Sequence, residues 1–505
     1  MGSYRDSHFS LENSNQLLSS QTNDSLVSGS TFSVRRENQN RDTRRVDERS
    51  SVRSVNNQYN SASNSATMSN TYTHSTMVTD PPKLDYSKIT TWQSILYKLL
   101  SAICCLCFLN ILMFLALLKT FYDTYIDKKH VYQKREISAY PKANNKKIPR
   151  KTELSYYVEL LGYKLLKYII ITEDGFALTL QRLVHSDGVP GNSSEGRGRP
   201  ILLVHGLLQS SGSFITSGEK SLAVQLFKKG YDVWLGNNRC GFEPQNVFMS
   251  ANDPQMWKWD IREMAKYDLP LMIDEIIKAT GFQKISLCCH SQGTTQTFIA
   301  LSKQYNIKID KKVDKFIALA PAVFGGPLLH EKLFIRFINS LPPSLYNIFF
   351  GINSFMPILM TMRTVFCRLP FFGLMSYSMF NFLFDWNDFL WDKSIRDIHF
   401  LFSPVYVSSQ HMKWWLSKDG FVDSGLILSD TETWFGEDIP DIMLVIGGTD
   451  RLVDGRKIAQ HVSKLEPCIH DFQCLVIPEY AHLDVLWADD VQERIGNPML
   501  DFLSR

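Results

Sequence analysis

Apolar and polar positions divide the chain into three stretches. In the first 80 residues Ser and Asn occupy 28 positions, while Leu, Ile, Val and Phe occupy only 12. That is under the roughly 20% apolar share at which burial offsets chain entropy, so residues 1–90 are expected to form a disordered tail. The tail opens Met-Gly but has Asp6 where a myristoylation site needs Ser or Thr, and it holds no apolar run of the signal-peptide kind. The second stretch is a run of 20 uncharged residues, Leu99 to Leu118, between Lys98 and Lys119. A helix rising about 1.5 Å per residue covers the roughly 30 Å hydrocarbon layer of a bilayer with such a run. Trp92, Tyr97, Phe121 and Tyr122 stand where interfacial aromatics belong. With its flanks (96–120) this stretch reads as one transmembrane helix rather than a core helix, because no adjacent element is there to bury it.

The third stretch, 151–505, alternates short β-rich runs with helical ones, the mark of βαβ units and a mainly parallel sheet. Lys167–Glu173 and Phe176–Leu183 flank Asp174-Gly175 and predict a hairpin. Strands follow at Ile201–Val204, Tyr231–Leu235, Lys284–Cys289 and Phe316–Ala320, with helices over Leu222–Lys229, Ile261–Thr280 and Gln292–Tyr305. From 323 to 436 the alternation stops. Aromatic and Leu-rich helical segments there predict a cap over one end of the sheet, and Arg363, Arg368 and several prolines argue against a second span. Alternation resumes at Asp441–Ile446, continues with a helix around Lys457–Lys464 and the strand Gln473–Ile477, and closes with a helix from about Val485.

Charge adds an exclusion. Lys plus Arg (54) nearly balance Asp plus Glu (51), which leaves no basic field for nucleic acid. The nine cysteines, three of them at Cys104, Cys105 and Cys107 inside the apolar run, form no even framework of a disulfide-stapled module and argue against a zinc site.

Chemistry concentrates at Cys289-His290-Ser291-Gln292-Gly293, between a predicted strand and a predicted helix. A serine on a sharp strand-to-helix turn projects at the sheet edge, where the helix N-terminus and the next N–H favour a developing oxyanion. Cys289 replaces the first Gly of the usual G-x-S-x-G pattern and is still small. The acid and the base then follow in the order this nucleophile elbow requires. Asp450 comes after the strand Asp441–Ile446, and His482 after the strand Gln473–Ile477. Ser291, Asp450 and His482 are thus the expected catalytic triad. Asp454 is the second candidate acid, expected to cap the next helix, and Asp484 is expected to be structural. Upstream, Ile201–Val204 runs into His205-Gly206-Leu207-Leu208, where Gly206 would let the Leu207 N–H join that of Gln292 in an oxyanion hole.

Several longer strings carry a resemblance. Thr172-Glu173-Asp174-Gly175, His205-Gly206-Leu207-Leu208, Tyr231 to Asn237, Glu263 to Pro270, His290 to Thr295 and His482-Leu483-Asp484 are similar to the acid lipase family that includes gastric and lysosomal lipases. Gln209 to Phe214, Asn238-Arg239-Cys240-Gly241 and Leu383 to Asp388 resemble, within it, the yeast membrane-anchored steryl ester hydrolases. From about Glu153 to Arg505 the resemblance implies an α/β-hydrolase fold with a helical cap insert, the triad and oxyanion donors named above, and no metal or cofactor. It implies hydrolysis of a lipid ester, steryl esters first, with triacylglycerol lipase as the alternative and a non-catalytic membrane-anchored interaction protein as the rival of another class. The expected partners are the ester substrate and a bilayer, with contact to lipid droplets and none to nucleic acid. The expected location is single-pass, in the plasma membrane or endoplasmic reticulum. Five Lys or Arg follow the span within 20 residues and three precede it, leaning toward a cytoplasmic hydrolase domain, while the sequon at Asn192 leans the other way.

Overall fold

The computed structural model describes residues 30–35, 90–127, 139–141, 148–193, 196–423, 425, 428 and 431–505. Most of the stretch read as a tail lies outside these described residues. Strands β1 (Tyr163–Ile171) and β2 (Ala177–His185) pair antiparallel from Tyr163 opposite His185 to Ile171 opposite Ala177. The turn between them is the expected one, with Gly175 at φ +88° and the Thr172 hydroxyl accepting from the Phe176 N–H at 2.8 Å.

Six further strands of this sheet are β3 (Pro200–Val204), β4 (Asp232–Asn237), β5 (Ile285–His290), β6 (Val313–Leu319), β7 (Asp441–Gly447) and β8 (Asp471–Ile477). They lie in the order β1-β2-β4-β3-β5-β6-β7-β8, parallel from β4 onward. Central strands β3 and β5 are buried at every position, which is why they read as continuous apolar runs rather than alternating ones. Side chains still alternate between two cores. Leu202, Val204 and Cys289 join one, and Ile201, Leu203 and Cys288 join the other.

Ser30–Arg35, inside the stretch expected to be a tail, runs antiparallel along β8, from Ser30 opposite Val476 to Arg35 opposite Asp471. The outer edge of β8 would otherwise present unpaired N–H and C=O groups, and an extended segment satisfies them.

The apolar run folds as α1 (Thr91–Tyr122), opened by a reciprocal capping box between Thr90 and Gln93. Contrary to the expectation that nothing neighbours it, α1 lies on the cap. Ser101, Cys105, Leu109, Leu112 and Ala116, spaced three or four residues apart, are buried along one face. Phe108 packs against Phe337 and Phe350, and the Cys105 thiol donates to the Phe349 carbonyl. Ile103 and Phe114 on the other side are more than 60% exposed. The neighbour comes from some 230 residues downstream, beyond the reach of any local pattern.

Helices α2 (Leu222–Lys228), α3 (Leu269–Thr280) and α4 (Gln292–Leu301) are crossovers of the sheet. The single helix expected over Ile261–Thr280 is interrupted, with a π-helical turn at Met264–Asp268 before α3. Pro270 has no N–H to return to the preceding turn. The interruption faces Asp268 toward Arg239, just past β4. Both side chains are fully buried and joined at 2.7 Å, and the guanidinium also bonds Asp174 and stands 4.2 Å from the centroid of the Phe176 ring. The cap contributes α5 (Leu333–Ser340), α6 (Pro343–Phe350), α7 (Pro357–Phe366), α8 (Phe372–Phe384) and α9 (Ser409–Leu416). After β7, α10 (Gly455–Leu465) is capped by Asp454.

Removing one partner of a buried ion pair strands the other charge. Asp268→Ala is therefore expected to lower stability by about 3–5 kcal/mol, read as a drop in denaturation midpoint of the full-length protein. A change under about 1 kcal/mol would show that Arg239 finds other compensation.

Candidate active site

Ser291 connects β5 directly to α4, and its backbone sits at φ +48°, ψ −115°. This is the left-handed region, disfavoured for a residue with a Cβ. Two features hold the turn there. The Ser291 N–H donates to Leu319 O of β6 at 3.0 Å, and Gly293 lies so close to β3 that a Cβ on it would stand 2.7 Å from Val204 O. Cys289, where Gly is usual, is accommodated in the core with its sulfur 3.3 Å from the Thr297 hydroxyl. Burial pushes that thiol up to about 12, which keeps it an uncharged packing group.

The three residues proposed from sequence meet at the C-terminal edge of the sheet. Ser291 Oγ lies 2.8 Å from His482 Nε2, and His482 Nδ1 lies 2.7 Å from Asp450 Oδ2. Asp450 is fixed in turn, its Oδ1 accepting from the Leu452 N–H at 2.9 Å. Ser291 O–H can thus donate to His482, and His482 Nδ1–H to Asp450, the arrangement that moves a proton off a serine hydroxyl. Asp454 stands apart, its Oδ1 accepting from Lys457 N–H. Asp484 is buried, taking the Trp391 indole N–H at 2.7 Å and the Ala481 N–H at 2.6 Å. Burial pushes its carboxyl up to about 7. The loop carrying Leu207 approaches closely, since a Cβ on Gly206 would meet Ser291 Cβ at 3.1 Å. Gln292 opens α4.

Several buried neighbours were not singled out from sequence. His290 Nδ1 is 2.9 Å from Gln209 Oε1, which also accepts the Gly206 N–H at 3.0 Å, and His290 Nε2 is 3.1 Å from the His482 carbonyl. One ring therefore stands between the oxyanion loop and the histidine loop, its single N–H available to either acceptor. The Gln292 side-chain oxygen lies 2.6 Å from His411 Nε2, and the Trp386 ring stacks on His482. His290 stands inside the elbow motif and Trp386 inside a string already noted, but nothing local told what they touch. Burial lowers His205 to about 4 and His411 to about 3, and it holds His290 well below 6.5, helped by the nearby His482. Among the described residues no three His, Cys, Asp or Glu side chains come together as metal ligands.

Known proteins agree with this architecture. The profile of a partial alpha/beta-hydrolase lipase region matches residues 154–218, and that of the alpha/beta hydrolase fold matches 199–350. Sterol esterase 2 of Saccharomyces cerevisiae is 42% identical over 391 residues, 70% of this chain and 71% of the relative. The chain belongs to the acid lipase family of α/β-hydrolases. Human gastric triacylglycerol lipase is 30% identical over 70% of this chain and 90% of its own, and human lipase member K 28% over 73% and 93%. Membership in the acid lipase family makes the protein a serine carboxylic-ester hydrolase of lipid esters.

The neutral histidines set an acid limit. His399, also buried in the cap interface, is lowered to about 3 by burial and by Arg396. A histidine depressed in the folded state contributes stability that is present above 6.5 and is lost as pH falls toward its folded value. Each of the four gives up stability as pH falls below 6.5. Asp484 works in the opposite sense, its contribution present below about 3.8 and lost as pH rises through 7. Stability measured by urea titration is expected to fall from pH 6.5 to 4. A flat or rising profile would mean the rings take up protons in place.

Proposed function

We propose that this protein hydrolyses steryl esters to sterol and fatty acid through an acyl-enzyme on Ser291. The reading rests above all on the unbroken line of bonds from Ser291 Oγ through His482 to Asp450. In this mechanism His482 Nε2 takes the Ser291 proton as Oγ attacks the ester carbonyl. The N–H groups of Leu207 and Gln292 receive the oxyanion, and Asp450 holds the imidazolium. Collapse expels the sterol oxygen, which takes the proton back from His482. Water, deprotonated by the same ring, then releases the fatty acid. No step calls for a metal or cofactor.

The choice of steryl esters is supported by the 42% identity to a protein named sterol esterase and by the aromatic cap around His482, where Phe380, Phe384 and Trp386 stack together. The 30% identity to a gastric triacylglycerol lipase supports triacylglycerol as the second substrate to test. We read the domain order as tail (1–90), transmembrane helix and flanks (96–120) and hydrolase domain (151–505) with its cap (323–436). One described helix, Thr91–Ile126, is long and apolar enough to cross a membrane. It supports a single-pass anchor in the plasma membrane or endoplasmic reticulum, from which lipid droplets would be met across a junction.

Detergent-solubilised full-length protein is expected to release fatty acid from a steryl oleate faster than from trioleoylglycerol. Ser291→Ala and His482→Ala should remove nearly all of it, Asp450→Asn about four orders of magnitude, and Asp454→Asn little. Loss of activity in Asp454→Asn with Asp450→Asn near wild type would overturn the assignment of the acid. Preference for trioleoylglycerol would overturn the substrate.

A further inference from the structure

The end of the apolar helix reaches the catalytic histidine through three side chains. Lys119, the cation that closes the run, pairs with Asp123 at 2.8 Å and donates from the same Nζ to Asn381 Oδ1 at 2.7 Å. Asn381 is buried in α8. It uses the other end of its amide to donate to the Trp386 carbonyl at 2.8 Å. A group that only donates holds one end and a group that only accepts holds the other, so the amide has a single orientation. Asp385, at φ +56°, ends α8 and turns the chain back. The Trp386 ring then lies flat on His482, with centroids 5.3 Å apart and planes within 8° of parallel. Phe384, also from α8, stacks with the same indole at 4.6 Å.

His482 sits in a loop and is hydrogen-bonded at Nδ1 on one edge, so tilt about that bond would carry Nε2 away from Ser291. A flat aromatic wall on its face limits that tilt. It also faces the imidazolium that forms during acylation with the electron-rich side of an indole. A displacement near 1 Å at a reacting group costs about 100-fold in rate. Resting on the triad reading above, we infer that Trp386 is a positioning residue for His482, and that Lys119 and Asn381 fix its place. Docking of α1 on the cap is therefore part of the assembly of the active site as well as an anchor.

The test uses full-length protein in detergent, with two readouts. One is the rate constant for labelling of Ser291 by a fluorophosphonate, and the other is kcat and KM on p-nitrophenyl butyrate. Trp386→Ala is expected to lower labelling and kcat about 10- to 100-fold with KM within about twofold, and Trp386→Phe to restore most of the loss. Lys119→Met and Asn381→Leu should each lose about 3- to 10-fold in the same readouts, and Lys119→Met should add nothing in the Trp386→Ala background. Wild-type rates in Lys119→Met, or losses that multiply fully in the double variant, would overturn the inference. If Trp386→Ala does not fold, Lys119→Met decides, paired with Trp386→Phe. Failure of wild type to label, or labelling of Ser291→Ala, would instead count against the triad itself.

Discussion

The turn at Ser291 is the constraint on which the rest depends. A serine held at positive φ stays there only if its surroundings forbid relaxation, and here β3, β6 and α4 all close on it: Leu319 takes its N–H, and Gly293 leaves no room against Val204. The strain directs the hydroxyl out of the sheet edge, beside the N-terminus of α4. Everything else at the site is placed relative to that fixed point. Parallel strands β7 and β8 end at the same edge as β5, so the loops after them can bring an acid and a histidine to one serine from positions 159 and 191 residues apart.

Around Ser291, His482 and Asp450 lies a shell of buried polar groups. His205, His290 and His411 are all fully buried and all held below their ordinary range. A second cation within contact of His482 would oppose a positive charge on that ring, and these rings stand uncharged between loops. His290 lies 2.9 Å from Gln209 Oε1 and 3.1 Å from the His482 carbonyl, and a neutral ring donates to one of these two acceptors at a time.

The cap carries the third layer. Ser291 is only 6% exposed and His482 2%, so the cap covers the site, and its helices α6, α7 and α8 are also what α1 packs on. The helices that carry Phe384 and Trp386 toward His482 and those that cover one face of α1 are therefore parts of one body.

Much of this was legible in the sequence, and the reasons differ by feature. Hairpin β1–β2, the central strands and the elbow are local: Asp174-Gly175 forces a turn, apolar runs of five to seven residues bury both faces of a strand, and His290-Ser291-Gln292-Gly293 encodes its own bend. The meeting of Ser291, Asp450 and His482 was legible too, because chain order in a parallel sheet maps onto one edge. The break at Met264–Asp268 could have been suspected from Pro270, but the pairing of Asp268 with Arg239 could not. The strand Ser30–Arg35 and the docking of α1 were beyond the sequence, since each depends on a surface created only when distant segments fold. What the sequence by itself determined was which residues could do the chemistry and on which elements they ride. What only the tertiary structure decided was who touches whom across hundreds of residues, such as Trp386 on His482 and Lys119 on Asn381, because packing contacts leave no periodic trace in the segments that make them.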